Sequence, residues 1–226
     1  MQHYSQLGMR KTSTKQSLRQ VQDQINTWFA DTKITRTVFA FLFIWYVIIW
    51  YVPLGFDEST TTYWFIATAN PSPGWILAML SHVSITHFLA NAGQLLLFGS
   101  IVERRLNTQQ YLTFLFTVGL ITTLFQVIEY NIKGITGGMV GASGATFSIV
   151  TFAVIALLEP LNGSPPTVTS PTDHRPGLIL AALIILIGQL LNDFTPYLSF
   201  SQRASGIAHL SGMILGATVA LLYTSR

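Results

Sequence analysis

The sequence predicts an all-α membrane protein with six transmembrane helices, and three observations lead to that prediction. Half of the 226 residues are apolar and only 9% are charged, whereas soluble domains carry about 25% charged residues. Six apolar segments follow a polar lead, and most lysines and arginines fall in alternate connections between them. Together these features favour a bilayer as the main solvent of the chain.

The chain divides into a polar, basic tail over residues 1–33 and a six-span domain over residues 34–226. No small-residue cleavage site follows the first apolar run, so we expect that run to be retained as a span. Several segments are shorter than the ~20 residues that a helix needs to cross the hydrocarbon. The six apolar segments, in order along the chain, are Ile34–Phe56, His87–Val102, Tyr111–Tyr130, Ser143–Leu158, Gly177–Leu191 and Gly206–Tyr223.

Two connections have a distinctive composition. The stretch Ser59–Thr86, between the first and second spans, is uncharged and contains Trp64 and Trp75. Tryptophan favours the membrane–water interface, so we interpret this stretch as a structured loop lying in that interface. The connection Leu161–Pro176 is polar and rich in proline, which predicts an exposed loop.

The basic residues set the predicted orientation. Cytoplasmic loops of membrane proteins collect lysine and arginine. Ten basic residues lie on the side of the amino terminus and two on the other, which predicts that both termini are cytoplasmic and that the number of spans is even. The ten are Arg10, Lys11, Lys15, Arg19, Lys33, Arg36, Arg104, Arg105, Arg175 and Arg226, and the two are Lys133 and Arg203.

A glycine-rich segment, residues 137–145, opens the fourth predicted span and contains Ser143. A serine at a helix start has backbone N–H groups beside it that no helical carbonyl satisfies. Such donors can hold a developing oxyanion. The alternative is that glycine and serine simply allow close helix packing at this point.

His209 lies inside the sixth predicted span, where an ionisable residue suggests a functional site. Gly212 and Gly216 share its helical face. The fourth span offers a matching surface of small residues around Ser143, so close packing of the two helices would bring Ser143 within reach of His209. The alternative is a packing stripe in which the histidine hydrogen-bonds a neighbour.

A third polar element opens the second predicted span. His87 and Asn91 are four residues apart and therefore share one helical face, which requires a polar partner such as an oxyanion. His82, in the preceding loop, is interpreted as a structural hydrogen-bonding residue. With the predicted orientation, the sites at residues 87, 143 and 209 all lie near the non-cytoplasmic side.

These residues together resemble the rhomboid family of intramembrane proteases, over about residues 34–223. The residues that carry the resemblance are His82, His87, Asn91, the Gly-Ala-Ser-Gly of residues 141–144, His209, Gly212 and Gly216. The resemblance implies a six-helix rhomboid-type bundle and a Ser–His dyad without a carboxylate.

By that resemblance, Ser143 is the nucleophile and His209 its base. The N–H of Ser143, with His87 and Asn91, forms the oxyanion hole, and Gly141 belongs to the substrate-binding site. Glu103 resembles a family position that ties the inner end of the second span.

Two positions depart from the family pattern. A Trp-Arg pair is frequent in the first loop of the family, whereas Trp75 is followed here by Ile76. An aromatic residue, often tyrosine, follows the serine by four positions, and here it is Phe147, which can stack on His209 but supplies no hydroxyl.

The expected function is an intramembrane serine endopeptidase that cleaves peptide bonds in or near transmembrane segments of other proteins. The expected location is the cell membrane of a prokaryote. The expected partners are transmembrane substrates and the lipid bilayer, with no nucleic acid, no cofactor and no metal.

One alternative is a rhomboid-like pseudoprotease that binds membrane clients without cleaving them. Another is a small permease in which His82, His87 and His209 handle a proton or hold zinc. A carrier is expected to show more intramembrane carboxylates or an internal repeat, and neither is obvious in the sequence.

Overall fold

The computed structural model describes residues 31–51, 55–158, 175–194 and 206–224, together with positions 22, 23 and 27. This part of the chain is almost entirely helical, which confirms the all-α prediction. The basic tail and the proline-rich fourth connection lie almost wholly outside the described residues. The helices are α1 (Lys33–Tyr51), α2 (Glu58–Phe65), α3 (Gly74–Leu77), α4 (Ile85–Glu103), α5 (Thr108–Lys133), α6 (Ser143–Leu158), α7 (Arg175–Phe194) and α8 (Gly206–Thr224).

Five of the described helices are long and apolar enough to cross a membrane, namely α1, α4, α5, α7 and α8. The fourth predicted span, α6, has the expected bounds but only 16 residues. The expectation of short spans holds for α6, whereas α4, α5 and α7, with 19, 26 and 20 residues, all extend beyond their predicted segments. Polar residues at the ends of the apolar runs continue these helices instead of ending them.

The start and end of α5 show how polar residues extend a span. Asn107 and Gln110 form a capping box, in which each side chain accepts a hydrogen bond from the other residue's backbone N–H. Gly134 ends the helix with φ of 63°, the left-handed conformation that favours glycine. The helix therefore runs several residues beyond both ends of its apolar segment.

Helix α6 forms the centre of the bundle. Twelve of its residues are buried, and it contacts α4, α5, α7 and α8. By contrast, α1 and α7 are only 17% buried over their apolar windows, so most of their surface is available to lipid. A short helix enclosed by others does not need to match the thickness of the hydrocarbon by itself.

The packing of α6 against α8 depends on two glycines of α8. A Cβ on Gly212 would lie 3.0 Å from the backbone carbon of Gly144, and one on Gly216 would lie 2.7 Å from Ser148 Cα. Only residues without a side chain allow the two backbones to approach so closely.

The connection between α1 and α4 is structured, as the sequence predicted. It contains α2, α3, a single 3₁₀ turn (Ala78–Leu80) and the two-residue strand β1 (Ala67–Thr68). Strand β1 pairs antiparallel with β2 (Gly138–Met139), a contact that the sequence did not predict. The indole N–H of Trp75 donates to the carbonyls of Thr68 and Asn70, so Trp75 supports this loop without the arginine that often follows it in the family.

The opposite end of the bundle is held by Glu103, the last residue of α4. Its two carboxylate oxygens accept the backbone N–H groups of Ile34 and Thr35, both at 2.8 Å. A carboxylate at a helix start satisfies free N–H groups and interacts favourably with the helix dipole. Glu103 therefore ties the C-terminal end of α4 to the start of α1.

Candidate active site

Ser143 is the first residue of α6 and is buried. The chain reaches it through Gly141, whose φ of 126° is a conformation that other residues rarely adopt. The N–H of Gly141 donates to the Ala78 carbonyl at 2.9 Å, which fixes this turn to the 3₁₀ turn of the first loop. At the start of α6, backbone N–H groups are free of helical partners and surround the serine.

His209 lies in the first turn of α8, and its Nε2 is 2.8 Å from Ser143 Oγ. Both side chains are buried, with exposed fractions of 8% for His209 and 7% for Ser143. The helix start is fixed by Gln126 of α5, whose Oε1 accepts the N–H of Ala208 at 3.0 Å. The close approach of α6 and α8 thus brings together the two residues that the sequence singled out.

The ring of Phe147 lies beside His209, with ring centroids 4.9 Å apart. The planes are inclined at 59°, so the rings meet at a tilt instead of stacking face to face. The expectation of contact is correct, whereas the expectation of stacking is wrong. Phe147 limits the movement of the imidazole by packing alone.

His87 and Asn91 lie on one face of α4, next to the turn at Gly141. A Cβ on Gly141 would lie 2.5 Å from His87 Cε1 and 3.7 Å from Asn91 Nδ2, so the absent side chain leaves room for both groups. Asn91 Oδ1 accepts the Thr146 hydroxyl at 3.0 Å, and Nδ2 donates to the His87 carbonyl at 3.1 Å. An amide nitrogen has two protons, so one N–H of Asn91 is left to face the Gly141 turn.

The side chain of His82 was expected to form structural hydrogen bonds, but in the structure it makes ring contacts instead. Its ring packs edge-on against His87 and Phe88, and neither ring nitrogen makes a hydrogen bond of normal geometry among the described residues. Burial and then the neighbouring His87 lower the pKa of His82 to about 3, and a backbone contact with Leu80 opposes this only weakly. The backbone carbonyl of His82 accepts the indole N–H of Trp50, so the residue joins α1 to the loop.

Sequence reasoning missed Asp193, at the end of α7. Its Oδ2 lies 2.6 Å from His209 Nδ1, on the side of the ring opposite Ser143. Gln189, one turn earlier, donates from Nε2 to Asp193 Oδ1 at 2.8 Å. The structure therefore places a carboxylate where the family resemblance implies none. The available signal was an acidic residue at the end of a span, at the same end of the bundle as Ser143.

Thr146 and Gln126 were also missed. The Thr146 hydroxyl donates to Asn91 Oδ1 and to the Ser143 carbonyl, and Gln126 Oε1 accepts the N–H of Ala208, which precedes His209. Thr146 lies three residues after Ser143 and therefore faces the same side of α6. Among the residues that the structure describes, no three His, Cys, Asp or Glu side chains are grouped as a metal site would require.

Comparison with known proteins gives one positive finding. A family model described as a rhomboid domain matches residues 71–226, more than half of the chain. The match begins in the loop before α3 and includes α3 to α8 and every candidate site residue, while α1 lies before it. No curated protein matches the chain significantly.

Proposed function

Because the chain belongs to the rhomboid family, whose members are generally intramembrane serine proteases, we propose that it is an active serine endopeptidase of membrane proteins. The observation that carries this proposal is the 2.8 Å contact between Ser143 Oγ and His209 Nε2 in a buried site. A serine hydroxyl is a poor nucleophile unless an adjacent base accepts its proton, and this contact supplies such a base.

The proposed reaction begins when Ser143 Oγ attacks the carbonyl carbon of the scissile bond and its proton passes to His209 Nε2. The tetrahedral intermediate then collapses, the C–N bond breaks, and the leaving amine takes the proton from Nε2. Water, activated by the same nitrogen, hydrolyses the acyl ester and restores the serine. One histidine therefore serves as base and acid in turn.

The oxyanion would lie between the start of α6 and the start of α4. The backbone N–H at Ser143, the free N–H of Asn91 and the imidazole of His87 converge on the turn at Gly141, which supports their assignment as its donors. Thr146 holds the amide of Asn91 in the orientation that presents nitrogen to this turn.

The bundle is an integral, multi-pass membrane protein. We place its active site toward the non-cytoplasmic side with both termini in the cytoplasm, because basic residues gather at the opposite ends of the spans. Substrates are transmembrane proteins cut within or near a membrane helix, at small residues in a segment that unwinds easily.

The experiment that tests this function incubates the detergent-solubilised protein with a transmembrane substrate and compares wild type with Ser143→Ala. We expect cleavage by wild type and none by the variant, with the same thermal unfolding for both. A fluorophosphonate probe should label Ser143 alone among the serines, and His209→Ala should abolish labelling as fully as Ser143→Ala, because the two act as a unit.

The outcomes separate protease from pseudoprotease. Folded wild-type protein that neither cleaves substrate nor reacts with the probe would support the client-binding alternative. Cleavage that persists in Ser143→Ala would remove Ser143 from the nucleophile role while leaving a protease to be explained.

A further inference from the structure

We propose that Asp193 is the positioning residue of a Ser143–His209–Asp193 triad, in which α7 supplies a carboxylate to the site. The proposal rests on the function proposed above. Ser143 comes from α6, His209 from α8 and Asp193 from α7, and the two contacts to the imidazole are 2.8 Å and 2.6 Å. They involve the two different nitrogens of the imidazole ring, which is the arrangement that a catalytic triad requires.

The two contacts fix the tautomer of His209. A neutral imidazole has one N–H donor and one acceptor nitrogen. If Nε2 is to accept the hydroxyl proton of Ser143, the hydrogen must reside on Nδ1, where it donates to Asp193 Oδ2. In the other tautomer, the lone pair of Nδ1 would face a carboxylate at 2.6 Å, which is repulsive. Asp193 therefore selects the form of the histidine that can act as a base.

Asp193 is itself held in place. Gln189 Nε2 donates to Oδ1 at 2.8 Å, so each carboxylate oxygen accepts one hydrogen bond. Gln189 Nε2 is also 3.2 Å from His209 Nδ1. Once Nδ1 carries its proton, both are donors and both point to the carboxylate. A buried carboxylate needs such partners, because burying an unpaired charge is strongly unfavourable.

The groups that face His209 favour this assignment. Among the described residues, Asp193 of α7 and His87 of α4 are the ionisable groups near the imidazole. The neutral Gln126 of α5 binds the backbone N–H of Ala208, the residue before His209. Asp193 is therefore the negative group placed to stabilise the imidazolium that forms when Ser143 attacks. In the proposed reaction the proton moves only between Ser143 Oγ, His209 Nε2 and the leaving amine, and Asp193 keeps its place beside Nδ1.

The first test is Asp193→Asn, which keeps the shape of the side chain and removes its charge. We expect kcat/KM to fall by about 10²–10⁴-fold, the upper figure being that of the corresponding change in a soluble triad. The loss should fall on kcat with little change in KM, because Asp193 acts on the base and does not touch the substrate. Gln189→Met should lower the rate by about fivefold, as expected for one lost hydrogen bond.

The matched control is Asp57→Asn, which removes a carboxylate from the exposed start of α2, far along the chain from the site. Asparagine caps helices as well as aspartate does, so kcat and KM should both be unchanged. A residue that merely joins α7 to α8 would lower thermal stability when mutated while leaving kcat of the folded fraction near the wild-type value. That result, or a rate within about threefold of wild type, would overturn the proposal.

A spectroscopic measurement on wild type does not depend on the folding of any Asp193 variant. In protein labelled with ¹⁵N-histidine, the imidazole signal that disappears in His209→Ala should report a proton on Nδ1 at neutral pH. A proton on Nε2 would refute the assigned tautomer. Wild type that shows the Nδ1 proton but neither cleaves nor reacts with fluorophosphonate would refute the proposed function, and the catalytic role of Asp193 with it.

Discussion

The spacing of α6 and α8 makes a quantitative prediction about Gly216, which lies seven residues beyond His209 and touches no site residue. A methyl group at Gly216 would lie 2.7 Å from Ser148 Cα, whereas carbon atoms in ordinary contact are about 3.5–4.0 Å apart. Both contacting groups are backbone, so no side chain can turn aside. In Gly216→Ala the helices must separate by about 1 Å.

That separation acts on the active site through a rigid helix. The distance from Ser143 Oγ to His209 Nε2 is 2.8 Å, and adding the whole displacement gives about 3.8 Å, beyond the range of a hydrogen bond. A misplacement of ~1 Å in a catalytic constellation costs about 10²-fold in rate. We therefore expect Gly216→Ala to lower kcat/KM by about 10²-fold and to destabilise the fold by ~1–3 kcal/mol through overpacking.

The assay is cleavage of a transmembrane substrate in detergent, normalised to the folded fraction from thermal unfolding. The matched control is Gly93→Ala in α4, where an added Cβ meets no atom within 4 Å. Its activity should stay within twofold of wild type, and its stability should be equal or slightly higher, since alanine favours helix. Folded Gly216→Ala protein with activity within threefold of wild type would refute the idea that backbone spacing sets the catalytic contact.

Three further predictions follow from other contacts. Thr146→Val removes the hydrogen bond that orients Asn91 and should lower kcat about fivefold with little change in KM, measured by steady-state kinetics; a change confined to KM would contradict this role. Folded His82 resists protonation because its pKa is about 3, whereas an unfolded histidine takes up a proton as the pH falls below about 6.5, so low pH favours unfolding. In thermal unfolding, wild type should therefore lose about 2 kcal/mol more stability between pH 7 and pH 5 than His82→Phe does. Equal losses in the two proteins would show that His82 is not the cause. An impermeant thiol reagent on intact cells should label Ile135→Cys but not Gln2→Cys, and the reverse pattern would invert the proposed orientation.

The sequence predicted those features that are written into local patterns. The meeting of α6 and α8 followed from small residues on both helices, and Gly212 and Gly216 do face the backbone of α6. The face shared by His87 and Asn91 followed from their spacing of four. Both inferences need only the periodicity of a helix and the size of the side chains.

Asp193 could not be found in the same way, for two physical reasons. The predicted fifth span ended at Leu191, whereas α7 continues to Phe194, so a helical residue was taken for part of a loop. In addition, α7 is mostly exposed along an apolar surface, and apolar residues on all sides do not reveal which face turns inward. Only the packed structure shows that Gln189 and Asp193 share the face that meets His209.

The pairing of β1 with β2 was missed for another reason. A strand of two residues is too short to show the alternation by which strands are recognised. Its partner lies about seventy residues away, beyond the reach of any local pattern. The same limit applies to Gln126, whose bond to the Ala208 N–H joins helices that are distant in sequence.

The helix ends around the site explain why a carboxylate is useful there. His209 lies in the first turn of α8, where the partial positive charge of a helix start disfavours an imidazolium by ~0.3–1 kcal/mol or more. The start of α6, beside Ser143, carries the same sign and favours the oxyanion. The helix start that favours the negative oxyanion is thus accompanied by a second helix start that disfavours the positive charge on His209. Asp193, in the last turn of α7, brings a carboxylate and the negative end of a helix to the far side of the imidazole. In the proposed reaction, each charge that forms during attack on the substrate therefore faces a group of opposite sign.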